Sequence, residues 1–193
     1  WAHTYLTGMS EGEILQSLNQ TRDAIVAAGG NAPKGVRPPG GKINDASKAV
    51  LAKAGMPSII WSVDTLDWKT RNAQHTIDTV LRQVQDGDII LMHDIHEPSV
   101  KAALRLIPDL IAQGYKLVTV SEMAEAKNVT LQNACYVDFW PSTLSNGDVP
   151  GYQGGSDAAA STDGTDGTSD ASTDSSDGST DSSDGSGDYY RFR

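Results

Sequence analysis

Cysteine is almost missing from this 193-residue chain: Cys135 stands alone, so no disulfide can form within it. No run of eighteen or more apolar residues occurs, which excludes a membrane-spanning helix in the sequence given. Basic residues are few, 15 Lys and Arg against 25 Asp and Glu, and they form no cluster or basic helix. A nucleic-acid-binding class is therefore excluded. Adjacent aspartates are absent altogether, and so is an initiator Met: the chain opens at Trp1, in what reads as the interior of a domain. Large aliphatic residues disappear from about Gly154, where Ser, Thr, Asp and Gly take over. Such a stretch cannot bury enough apolar area to offset the entropy of ordering it. We expect one domain over residues 1–141 and a low-complexity, disordered tail over 142–193. The net charge of −10 belongs mostly to that tail, where nine aspartates from Asp157 to Asp188 face only Arg191 and Arg193. A hydrated spacer and an idle end are equally good readings of it.

The domain portion alternates between helical and extended patterns. Ser10-Glu11-Gly12-Glu13 is a capping box, followed by Ile14, Leu18, Thr21 and Ile25 on one helical face and closed by Gly29-Gly30. Pro38-Pro39-Gly40-Gly41 must turn, Asn44 starts a second helix, and Ser58 to Val63 is a β-branched strand. A helix is expected over Ala73–Gln85, a strand over Asp88–Met92, and a helix over Pro98–Gln113 with Val100, Ala103, Leu104, Ile107 and Ile111 inward. A strand over Lys116–Val120 and a short helix capped by Ser121 complete the order. Strand and helix alternating at this spacing argue for parallel β/α units.

In such folds active sites gather at the carboxyl ends of the strands. Arg37 follows the first extended piece, Asp64, Asp67 and Trp68 the second, His93, Asp94 and His96 the third, Ser121 and Glu122 the last. His3 precedes the first helix. Each has a plain structural reading: a surface Arg before prolines, aspartates as caps, a loop His. Trp61 reads as core and His75 as a solvated helix residue. Convergence on one rim is what makes a catalytic constellation of them.

The strings RPPGG (Arg37 to Gly41), DTLDW (Asp64 to Trp68) and LMHD (Leu91 to Asp94) resemble, in order, signature motifs of the polysaccharide deacetylases. These are the NodB-homology domains of carbohydrate esterase family four. His3-Thr4-Tyr5 resembles the start of another of their motifs, and the surrounding text is most similar to bacterial peptidoglycan N-acetylglucosamine deacetylases. The resemblance implies a distorted (β/α) barrel and a divalent metal of the zinc type, which activates water for attack on an acetamide carbonyl. It assigns His3 as a metal ligand and Arg37 as the holder of the catalytic base. The Gly40 backbone N–H becomes an oxyanion donor, His93 the acid that protonates the leaving amine, and Asp67 the carboxylate that tunes that imidazole. Trp68 and Leu91 become walls of the acetyl pocket.

The resemblance also implies parts that this sequence lacks. The family's strand ending in an Asp-Asp pair would lie upstream of Trp1, and the second metal histidine falls at Thr7, a poor zinc ligand. An incomplete barrel is therefore expected, inactive as this chain and short of its metal site. The substrate implied is a polysaccharide, peptidoglycan first, with chitin oligomers or acetylated xylan as alternatives. A non-catalytic glycan-binding relative is the reading of another class. Further expectations are a monomer, with no nucleic-acid partner, in an extracellular or cell-wall location in a bacterium. Asn19-Gln20-Thr21 and Asn128-Val129-Thr130 are glycosylation sequons by pattern only.

Overall fold

The computed structural model describes residues 1–145. Most of the expected tail lies outside the described residues, and the last described element, α7 (Pro141–Ser145), straddles its expected start. Eleven regular elements precede or include that point, beginning with α1 (Glu11–Ala27) and α2 (Asp45–Lys53). Both open on capping boxes: Ser10 accepts from the Glu13 N–H while Glu13 reaches back, and Asn44 does the same with Ser47. Ile14 of α1 and Val50 and Leu51 of α2 close on Leu6, and this small cluster joins the two helices. The far end of α1 gains little from it, since Ile25 and Val26 are exposed.

The extended residues form two parallel pairs. β1 (Ser58–Ile59) pairs with β4 (Cys135–Tyr136), and β2 (Val63–Asp64) with β3 (Ile90–Leu91). The expected strand over Ser58–Val63 is thus one stretch that changes partner midway. The Ile60 N–H still donates to Tyr136, whereas the N–H groups of Ser62 and Val63 both donate to Ile89. Beyond β4 the chain closes on the turn before β3: the Phe139 N–H donates to the Gly87 carbonyl at 2.8 Å, and a Cβ on Gly87 would lie 2.5 Å from the Phe139 carbonyl oxygen. Val36 bridges Ser58 in parallel on the other side.

Between the pairs run α3 (Asp67–Thr70) and α4 (Ala73–Gln83), the latter capped by Asn72. After β3 come α5 (Glu97–Ala112), which contains Pro108, and α6 (Val120–Ala126). Val63, Val80, Leu106 and Leu110 form the second core cluster, which joins β2 to α4 and α5. The inward face of α5 is therefore Ser99, Ala102, Leu106 and Leu110 rather than the expected one. Leu104 and Ile111 stand 70% and 57% exposed. Both faces of this helix are apolar, so periodicity alone could not choose between them.

Two further expectations fail. Thr119, not Ser121, caps α6, with Glu122 completing the box. The strand expected over Lys116–Val120 does not form. Among the described residues nothing pairs with the backbone of Lys116, Leu117 or Val118, and a largely apolar cleft of ≈ 670 Å³ separates them from Ile89 and Ile90. A strand exists only by its ladder, so β propensity without a neighbour yields none. Among the described residues, no helix is long and apolar enough to cross a membrane.

Candidate active site

Because Val36, the Ser58–Asp64 stretch and β3 run parallel, the segments that follow them emerge on the same side. That rim carries Arg37–Gly41, Asp64–Trp68 and Met92–Asp94.

The best-defined part of it is a pair. Asp67 is 1% exposed and accepts twice from His93: the backbone N–H reaches Oδ2 at 2.6 Å, and the ring Nδ1 lies 2.8 Å from Oδ1. Local backbone geometry brings the carboxylate there. Leu66, immediately before α3, sits in the left-handed region at φ 50°, which costs a residue with a Cβ about 1–3 kcal/mol. Asp64 Oδ1 accepts from the Leu66 N–H at 3.0 Å and steadies that turn. Thr65 is wholly buried, donates to the Leu91 carbonyl at 2.7 Å and accepts from the Asp67 N–H at 3.4 Å. One hydroxyl thus ties the end of β2 to β3 and holds the backbone of Asp67.

Burial is the largest single influence on the Asp67 carboxyl and acts to raise its pKa. The Ser99 hydroxyl, the His93 ring, its backbone N–H and its charge outweigh that together and hold the pKa below the usual 3.8. The group is therefore ionised near neutral pH, and an ionised carboxylate can only accept. The His93 proton must then sit on Nδ1, which leaves Nε2 as the edge that exchanges protons. The His93 side chain is 27% exposed, enough for a substrate atom to reach it. Trp68 stands 41% exposed one residue from Asp67, whereas Leu91 is buried and 6% exposed.

The other half of the rim is differently made. Arg37 is exposed and makes no ion pair or hydrogen bond among the described residues. Pro39–Gly41 turns with Gly40 at φ 60° and Gly41 at φ 66°. Aromatic rings close on both glycines: a Cβ at Gly40 would lie 2.8 Å from Tyr5, and one at Gly41 would lie 2.6 Å from Trp61. Lys42 Nζ sits 4.4 Å from the Tyr5 ring centroid. Trp61, expected in the core, is instead partly exposed and packs on this turn. His3, two residues before Tyr5, is exposed with φ 57°.

The residue set does not fit a bound metal. Among the described residues no three or more His, Cys, Asp or Glu side chains are grouped so that they could hold an ion. Among the described residues His3 has no companion ligand. Glu122 is spent on its capping box, His75 lies exposed in the first turn of α4, and His96 precedes α5 as its N-cap. Thr65 and Ser99 escaped the sequence reading because a buried hydroxyl leaves no mark in a hydropathy pattern.

Comparison with known proteins agrees with these motifs. Residues 1–59 match the family model described as polysaccharide deacetylase. Over 127 residues the chain is 43% identical to the Bacillus subtilis peptidoglycan-N-acetylmuramic acid deacetylase PdaC, covering 66% of this chain and 27% of that protein. It is 40% identical over 123 residues to the Listeria monocytogenes peptidoglycan-N-acetylglucosamine deacetylase PgdA, covering 64% and 26%. The chain thus spans about a quarter of the length of these relatives. The solved structure of PdaC superposes with a TM-score of 0.62 and covers 66% of this chain and 62% of that one. A Bacillus anthracis structure described as a CE4 family pseudoenzyme, 32% identical, superposes with a TM-score of 0.56 over 64% of this chain and 43% of that one.

Proposed function

We propose that the chain is a member of the polysaccharide deacetylase family, whose model its residues 1–59 match, and that it carries the proton-donating half of a deacetylase site. The substrate is an N-acetylated cell-wall polysaccharide. The observation that carries this reading is the His93–Asp67 pair: a buried carboxylate fixes the ring through Nδ1, and the His93 side chain stays 27% exposed. Hydrolysis of an acetamide must place a proton on the departing nitrogen, and the His93 ring supplies it from Nε2 when it carries protons on both nitrogens, keeping the one on Nδ1. We assign Trp68, exposed one residue from Asp67, and Leu91, buried at the end of β3, to the walls of the acetyl pocket. The Gly40 backbone N–H on the Pro39–Gly41 turn is the donor we assign to a developing oxyanion; that of Gly41 is already given to the Pro38 carbonyl.

A divalent metal of the zinc type would supply the activated water in this family. Its ligands are not assembled among the described residues, so no step is routed through it. We accordingly read the 193 residues alone as silent in turnover. The barrel, extracellular placement at a bacterial wall and a monomeric state complete the proposal. A non-catalytic glycan-binding relative is the second reading, supported by the ungrouped ligands and by likeness to a structure described as a pseudoenzyme.

Acetate release and glycan binding should be followed together, with chitooligosaccharides and peptidoglycan fragments of either N-acetylated sugar, and with zinc or cobalt added. The proposal expects the His93 ring and Trp68 indole NMR signals to shift on glycan addition without acetate. Acetate that disappears in His93→Ala would overturn the silence but uphold the acid. Absence of any glycan-dependent shift would overturn the functional reading itself.

A further inference from the structure

The chain carries a net charge of −10, yet from Ala24 to Asn44 it holds Lys34, Arg37 and Lys42 and no acid. Lys34 lines a shallow depression with Ser121, Glu125 and Asn128, beside α6. The other two cations belong to the glycine turn on the rim. Lys42 is exposed, and its Nζ sits 4.4 Å from the ring centroid of Tyr5, which itself packs on Gly40. This contact orders the ammonium without spending its donors. Among the described residues Lys42 gives no hydrogen bond and forms no ion pair, and Arg37 is in the same condition. Asp45, the next acid along the chain, stands 3.5 Å from Lys48 instead. The opposite half of the rim sets Asp64, Asp67 and Asp94 against Lys69 and Arg71, so the excess of positive charge lies on the Arg37–Lys42 half.

An ordered ammonium with three free donors, beside a half-exposed aromatic ring, is a place for a carboxylate. Part of the side-chain entropy that weakens exposed ion pairs is already spent on the Tyr5 contact. Of the two N-acetylated wall sugars, glucosamine is neutral, whereas muramic acid bears a lactyl ether that ends in a carboxyl group. We propose that Lys42, seated on Tyr5, is a specificity-determining residue that takes the free lactyl carboxylate of an N-acetylmuramic acid unit whose acetamide goes to His93. The proposal rests on the functional reading above and deepens it, because it chooses between two sugars that share the acetamide.

The test needs no turnover. Tyr5 ring and His93 imidazole NMR signals of the full chain follow binding of two disaccharides. One is diacetylchitobiose; the other is N-acetylglucosamine–N-acetylmuramic acid with its lactyl carboxyl free. The acidic disaccharide should bind roughly two- to fivefold more tightly at low salt, the scale of one exposed ion pair. That preference should vanish near 1 M salt, where the screening length is about 3 Å. Lys42→Gln should abolish the preference and leave chitobiose affinity unchanged, and Lys42→Arg should restore it. Equal affinities in the wild type would overturn this proposal while leaving the functional reading in place. A preference that survives Lys42→Gln would overturn it too, since the shape of the lactyl group rather than its charge would then be read. Binding of neither sugar would overturn both.

Discussion

Two halves of one rim are built by different means. On the Asp67–His93 side, side chains fix side chains: Thr65 and His93 hold Asp67, and Val63, Val80, Leu106 and Leu110 support them from below. On the Arg37–Gly41 side the backbone is fixed by aromatic rings, while Arg37 and His3, to which the family resemblance gives roles, stand exposed. A polar group can be held in place only by partners, and partners exist on one half alone. Preorganisation is thus a property of half the rim here, and the proposed acid role rests on that half alone.

Removing support from beneath the ordered half should have the largest effect. Leu106→Ala is expected to cost about 2–5 kcal/mol in urea unfolding, whereas Leu104→Ala, on the exposed face of the same helix, should stay within about 0.5 kcal/mol. Equal effects would return α5 to the face that periodicity suggested. Next comes Asp67→Ala, at about 1–3 kcal/mol, because it leaves the His93 N–H without its acceptor. The pH dependence follows in sign: the Asp67 pKa is lowered on folding, so its stabilisation is present above the ordinary carboxylate pKa and fades as the pH falls through the depressed one. Acid unfolding of Asp67→Asn should lack that component; matching curves for the two proteins would mean the carboxylate is not specially held.

On the other half, Gly41→Ala should cost about 1–2 kcal/mol from the left-handed backbone alone, before the Trp61 ring has to move. Pairing it with Trp61→Ala in a double-mutant cycle should recover the part due to the ring, and additive losses would show that the two do not touch. Arg37→Ala should be the smallest effect, within about 0.5 kcal/mol by thermal unfolding, because no partner is lost. A larger loss would reveal a contact on the half described as open.

Much of this was legible in the sequence. The order of helices and turns follows from capping boxes and glycine stops; Asp67 and His93 stand among several polar residues that follow strands, and only the family resemblance pairs them. What stayed hidden depended on neighbours. Leu104 and Leu106 are equally apolar, and only the packing of α4 against α5 selects between them. The segment Lys116–Val118 has strand composition, yet a strand needs a ladder, and its neighbour lies across a cleft. Trp61 looked like core because it lies within a strand-like run; the glycines it covers gave no signal in hydropathy. Thr65 matters through a single hydroxyl whose meaning comes from what it faces.

The measurement that bears most directly on the divided rim is a zinc titration of the full chain followed by histidine imidazole NMR. The account predicts a persistent, slowly exchanging His93 Nδ1 proton and no histidine signal that saturates at micromolar zinc. Joint movement of His3 and His93 at micromolar zinc or below would contradict it, because both halves would then belong to one assembled metal site.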